Sequence, residues 1–108
     1  MNRVVVGIGS NTADRDKRMA AAVDYFSASF SDVVVSSIYE TLEWSGRYAP
    51  YLNCVAEGLT YRPIEEITDE LKQYEIDNGR TPEMKLTGAV TIDMDIVLWN
   101  DEVIRPVD

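Results

Sequence analysis

Two aspartates separated by one hydrophobic residue, Asp93-Met94-Asp95, are the residues whose types and spacing most directly suggest chemistry. In an extended segment, side chains at i and i+2 share a face about 7 Å apart. Two carboxylates placed so repel each other unless something positive lies near both. A hard divalent cation is the natural occupant, because Mg²⁺ is typically held by one or two carboxylates, with phosphate oxygens and water completing its shell. The same spacing also suits two solvated acids on an exposed face. Tyr51 and Asn53 repeat the pattern with a phenol and a carboxamide. That pair suits a flat heterocycle, one member stacking and the other hydrogen-bonding. It equally suits a cross-strand pair that shields a sheet.

The composition narrows the chemistry. The 108 residues include no histidine and one cysteine, with 10 Lys plus Arg against 19 Asp plus Glu. Without histidine, Ser-His-Asp and Cys-His nucleophile schemes and His-containing zinc sites fall away. The single cysteine, Cys54, forms no intramolecular disulfide and reads as a buried structural thiol. Any metal must therefore be held by oxygen ligands. A net charge of −9 argues against a nucleic-acid or anionic-membrane partner, since phosphate neutralisation needs clustered Lys and Arg. The cations that could meet a bound phosphate are Arg47, Arg80 and Lys85, all in or beside two predicted loops. Loops on a rigid scaffold often carry function.

The elements that must position these residues follow from periodicity. Residues 3–9 are β-branched and glycine-bounded, predicting a buried strand. Asp14 reads as an N-cap. Met19, Ala22, Val23, Phe26 and Phe30 then fall at helical spacing, predicting a helix over 14–29. Strands are expected over 32–41 and 51–61, with a loop over 42–50 between them. Pro63 suits a helix start, Ile64, Ile67, Leu71 and Tyr74 give an apolar stripe to about Asn78, and Gly79 is the expected stop. A second loop covers 80–90, a fourth strand 91–99, and Val103-Ile104 suits a small further strand.

The order βαββαβ is the split βαβ pattern of ferredoxin-like α+β domains. It predicts one domain over 1–108, with a four-stranded antiparallel sheet and two helices on one face. Alternation assigns Ile92, Met94, Ile96 and Leu98 to the helix face, and Thr91, Asp93 and Asp95 to the open face. Leu52, Cys54, Ala56 and Gly58 face the helices, and Tyr51, Asn53, Val55 and Glu57 the open side. The apolar run at the N-terminus is too short for a signal peptide or a membrane span, so a cytoplasmic protein is expected.

Several of these features occur together in one order: Gly9-Ser10-Asn11, Ser36-Ser37-Ile38-Tyr39-Glu40-Thr41, Tyr51-Leu52-Asn53, Glu75 followed by Gly79-Arg80, and Thr91-Ile92-Asp93-Met94-Asp95-Ile96. In this the chain resembles the 6-hydroxymethyl-7,8-dihydropterin pyrophosphokinase family of folate biosynthesis. The resemblance implies a ferredoxin-like fold and transfer of the β,γ-pyrophosphoryl group of ATP to the pterin alcohol, with release of AMP. It implies two Mg²⁺ ions on Asp93 and Asp95, and pterin contacts from Thr41, Tyr51 and Asn53. It further implies nucleotide contacts from Glu75, Arg80 and Lys85, with Arg80 also catalytic. The partners expected are a pterin and ATP, without nucleic acid or membrane, and a monomer or weak homodimer.

Some positions depart from the family pattern. Where it reads Trp-Gly-Pro-Arg, this chain has Thr87-Gly88-Ala89-Val90. Pro82 replaces a second loop arginine, and Leu42-Glu43 replaces Pro-Pro. The sequence also ends at Asp108, before the family's Pro-His element. A catalytically impaired or repurposed paralogue and a ferredoxin-like interaction domain are therefore the alternative readings.

Overall fold

The computed structural model describes residues 1–104, apart from the side chain of Lys85. The order is β1 (Asn2–Ser10), α1 (Arg15–Ser29), β2 (Ser31–Val35), β3 (Tyr39–Thr41), β4 (Tyr51–Thr60), α2 (Ile64–Asp77), α3 (Met84–Thr87), β5 (Asp93–Trp99) and β6 (Glu102–Val103). The sheet runs β2-β4-β1-β5-β6, with β3 also paired to β4. Every pairing is antiparallel. This is the expected α+β, ferredoxin-like arrangement, but with six strands rather than four. The predicted strand over 32–41 is split into β2 and β3, both along β4. At the break, Ser36 substitutes a side chain for the ladder, its Oγ accepting from the Val55 amide at 2.9 Å. The second loop is also more ordered than predicted, since it holds the short helix α3.

The helix stripes explain the core. Met19, Ala22 and Phe26 of α1 and Ile67 and Leu71 of α2 are buried against Val4, Val6, Ile8, Cys54, Ala56 and Met94 of the sheet. Burying a side chain of the size of Ile67 or Phe26 contributes roughly 1.5–3 kcal/mol. Gly58 is required by close approach, since a Cβ there would lie 2.7 Å from Phe30 Cβ. Asp14 does not cap α1 through its side chain. Its carboxylate instead accepts from Thr12 Oγ1 at 2.6 Å and from Arg18 Nε at 3.0 Å, one helical turn on.

Two side chains of the last long strand lie elsewhere than alternation predicts. Pairing of β5 with β1 begins at Gly9↔Asp93, so Thr91 precedes the strand. It is buried, only 7% exposed, rather than on the open face. Further along, the register shifts between Val5 and Val6 and leaves Val97 without a partner on β1. This β-bulge reverses the alternation beyond it. Leu98 thus lines the open face with Val5 and Val55, while Trp99 packs against the core.

Candidate active site

The bulge leaves the first half of β5 undisturbed, so Asp93 and Asp95 both line an open-face cleft of about 330 Å³. Opposite them across β1 stand Tyr51 and Asn53 on β4, with Tyr39 and Thr41 on β3 closing the side. The floor is Gly7 and Gly9, two positions on β1 that put no side chain into the cleft. A Cβ at Gly9 would lie 3.3 Å from Asn53 Oδ1. The sequence signal for this floor is glycine at i and i+2 of a strand, whose value appears only once the open face is known. Asn53 Nδ2 donates to Thr41 Oγ1 at 2.9 Å, tying together two of the predicted pterin-site residues. Burial first, then the nearby Glu43 and Asp93 carboxylates, raise the Tyr51 phenol above its ordinary pKa. It therefore stays protonated and able to donate.

The third carboxylate comes from the helix layer. Residues 75–80 end α2 in a Schellman arrangement: Gly79, at φ +94°, donates to Ile76 O at 3.2 Å, and Arg80 N donates to Glu75 O at 3.0 Å. Gly79 was the expected stop, and its left-handed backbone is what allows the chain to turn there. The motif sets Glu75 and Arg80 side by side, facing β5. Glu75 Oε2 accepts from the Met94 amide at 2.7 Å. Arg80 donates to the Ile92 carbonyl at 3.1 Å and to Asp93 Oδ1 at 3.0 Å, and lies 3.8 Å from Glu75.

One ligand atom from each of Glu75, Asp93 and Asp95 falls within 4.8 Å of the others. Burial, then a hydrogen bond and repulsion from Asp93, push the Asp95 carboxyl up to about 7. Burial also raises Glu75. Three hard oxygen donors this close together, two of them with raised pKa values, are a donor set that a divalent cation fits. A cavity of about 350 Å³ adjoins them, lined by Lys72, Glu75, Arg80, Thr81 and Pro82 as well as both aspartates. Lys72 and Asp95 also border a smaller chamber of about 150 Å³ with Thr68, Leu71, Ile96 and Ile104. Lys72 was not singled out by sequence, because one lysine on a charged helix face carries no pattern. The side chain of Lys85, an expected nucleotide contact, lies outside the described residues.

The Gly9-Ser10-Asn11 motif now has a structural role. Asn11 is buried, and its Nδ2 donates to Gly88 O at 2.9 Å. Its Oδ1 accepts from Val90 N at 2.6 Å, and its own amide donates to Val90 O at 3.0 Å. One side chain thus pins the end of the second loop to the end of β1. Thr87 closes α3, and Val90 lines the cleft.

The chain is similar to known proteins over nearly its whole length. The family model described as 7,8-dihydro-6-hydroxymethylpterin-pyrophosphokinase matches residues 5–107. A 2-amino-4-hydroxy-6-hydroxymethyldihydropteridine pyrophosphokinase of Aquifex aeolicus is 32% identical over 106 residues, covering 97% of this chain and 66% of that protein. A folate synthesis bifunctional protein of Chlamydia muridarum is 34% identical over 108 residues, covering 94% of this chain and 24% of that protein. The chain thus spans just under two thirds of the first relative and about a quarter of the second. With the match running through both halves of the cleft, the chain belongs to the 7,8-dihydro-6-hydroxymethylpterin-pyrophosphokinase family.

Proposed function

We propose that this domain transfers pyrophosphate from ATP to 6-hydroxymethyl-7,8-dihydropterin, releasing AMP, in folate biosynthesis. The observation that carries the reading is the convergence of Glu75, Asp93 and Asp95 beside a cleft whose other wall is Tyr51, Asn53 and Thr41. The pterin lies on the Tyr51 side, where the phenol ring offers a stacking surface and Asn53 and Thr41 offer hydrogen-bonding groups. ATP lies on the Lys72 and Arg80 side, its base toward the small chamber and its phosphates toward the aspartates.

Asp93 and Asp95 would hold two Mg²⁺ ions, with Glu75 beside them. Bound Mg²⁺ neutralises phosphate charge and favours in-line displacement. The chain's own residues do the positioning, which is the main protein contribution to such transfers. Glu75 is held to the β5 backbone by its bond from Met94, and so keeps a fixed carboxylate beside the pair. Arg80 neutralises Asp93 in the free protein. Once phosphate enters, the same guanidinium becomes available to it. The reading carries with it a cytoplasmic protein acting on small molecules as a monomer or weak homodimer. No helix among the described residues is long and apolar enough to cross a membrane.

The test is AMP release from ATP and Mg²⁺ with and without the pterin alcohol. Pterin-dependent AMP, abolished by Asp95→Asn, is the expected result. ATP and pterin binding without turnover would instead mark a catalytically impaired member of the family, an outcome made concrete by Thr87 and Val90.

A further inference from the structure

We propose that Glu43 is a positioning residue that joins the two loops bordering the cleft and sets the pterin-side rim before substrate arrives. The inference rests on the proposed pyrophosphokinase reading for its kinetic part and on loop geometry for the rest.

Glu43 is a carboxylate on a surface loop, yet it is only 7% exposed. Its Oε2 accepts from Ser45 Oγ at 2.6 Å and from Tyr48 N at 3.4 Å, and its Oε1 from Ser45 N at 3.2 Å. Its carbonyl accepts from Gly46 N at 3.1 Å, closing a turn that Gly46 completes at φ +73°. Ser45 Oγ passes the restraint on, accepting from Arg47 N at 3.2 Å. One carboxylate thus organises residues 43–48. The donors that converge on it also hold its pKa low, the Ser45 hydroxyl first.

The same carboxylate rests against the opposite loop. A Cβ at Gly88 would lie 3.5 Å from Glu43 Oε1 and 3.5 Å from the Tyr48 ring. Gly88 is itself fixed by Asn11. Asn11 thus anchors one loop to the end of β1, and Glu43 lies beside that loop's Gly88 while bracing the turn that carries Trp44. Trp44 is 94% exposed at the tip of that turn. With Arg47, Leu86 and Thr87 it lines an outer cavity of about 490 Å³. That cavity continues the inner cleft, since Thr41 and Val90 line the inner one while Glu43, two residues after Thr41, and Gly88, two residues before Val90, line the outer one. A large exposed aromatic held on a braced turn suits a surface that meets a flat ring on entry.

The experiment uses the full chain as Glu43→Ala, Glu43→Gln and Ser45→Ala. In the ligand-free protein, tryptic cleavage after Arg47 should quicken on the order of tenfold in Glu43→Ala. The effect should be smaller in Glu43→Gln and in Ser45→Ala, which loses the hydroxyl's bonds to Glu43 and Arg47 but keeps the backbone donors to the carboxylate. In the AMP assay the KM for the pterin alcohol should rise about tenfold in Glu43→Ala, while kcat stays within about threefold. The urea midpoint should hold, which separates positioning from general destabilisation. Unchanged cleavage, or a fall in kcat with KM unchanged, would overturn the proposal. If Glu43→Ala does not fold, the two milder variants decide it by the same readouts. Wild-type protein that releases no pterin-dependent AMP would defeat the pyrophosphokinase reading and the kinetic role together. The cleavage rates would still decide whether Glu43 staples the loops.

Discussion

The acidic corner and the loop rim are both polar, but they are held in different ways. Asp93 and Asp95 stand on a strand paired along its inner side to β1, and Glu75 and Arg80 are placed by the end of a 14-residue helix. Their positions follow from hydrophobic burial on the other side of the same elements. The rim at 42–50 and 84–90 has no such backing. Its order comes from single polar side chains, Glu43 on one loop and Asn11 on the other. The contrast teaches that the carboxylates and the Tyr51–Asn53 wall are mounted on the sheet and the long helix, while the rim is held by contacts that one substitution can change. The departures from the family pattern, Leu42, Glu43, Pro82, Thr87, Ala89 and Val90, all lie outside the regular elements that hold the carboxylates.

Mutations can break that contrast. The largest expected effect is Asp95→Asn, which should lower kcat/KM by roughly 10²–10³-fold, the scale of losing one preorganised electrostatic group. Thermal melting without metal should show the variant at least as stable as wild type at pH 8, because a repelled carboxylate is gone. Next is Gly79→Ala. Its positive φ should cost about 1 kcal/mol in a urea melt. It should also lower activity several-fold by shifting Glu75 and Arg80, so stability and chemistry fall together at this corner. By contrast, loop substitutions should separate the two.

A third test is pH. Asp95 and Glu75 have folded-state pKa values raised above the unfolded ones, so the folded state binds more protons between about pH 4 and about pH 7. Metal-free stability should therefore fall as pH rises through that window. Mg²⁺ added above pH 7 should raise the melting temperature, and a metal-free Tm that rises from pH 5 to 7.5 would contradict the assignment. The smallest effect is a control. Arg3→Ala removes the ion pair with Glu57 on the partly exposed far end of the sheet, and should leave the urea midpoint nearly unchanged and activity unchanged.

Much of this was legible in the chain. Period-2 alternation put Asp93 with Asp95 and Tyr51 with Asn53 on one face, and helical spacing found Met19, Phe26, Ile67 and Leu71. What alternation could not see was the bulge at Val97, because a register shift depends on the partner strand, and it moved Leu98 to the other face. Ser36 ended β2 early for a similar reason, as its side chain competes with the ladder only when Val55 lies opposite. Glu75 could be placed by resemblance alone. Its closeness to the aspartates depends on how α2 lies across β5, which no local pattern encodes. The role of Asn11 has no local signal, since its three bonds reach about eighty positions along the chain.

The outer side of β5 carries a further consequence. β6 covers only Leu98 and Trp99, so the stretch before them would offer bare amides and carbonyls to any passing strand. Glu75 occupies the Met94 N–H and Arg80 the Ile92 C=O, two successive outward groups of that stretch. The pair stands in for a neighbouring strand and denies the sheet a template for growth. Replacing either residue would therefore do more than weaken a reaction. It would open a sticky border, and the variants poorest in chemistry should also be the first to self-associate.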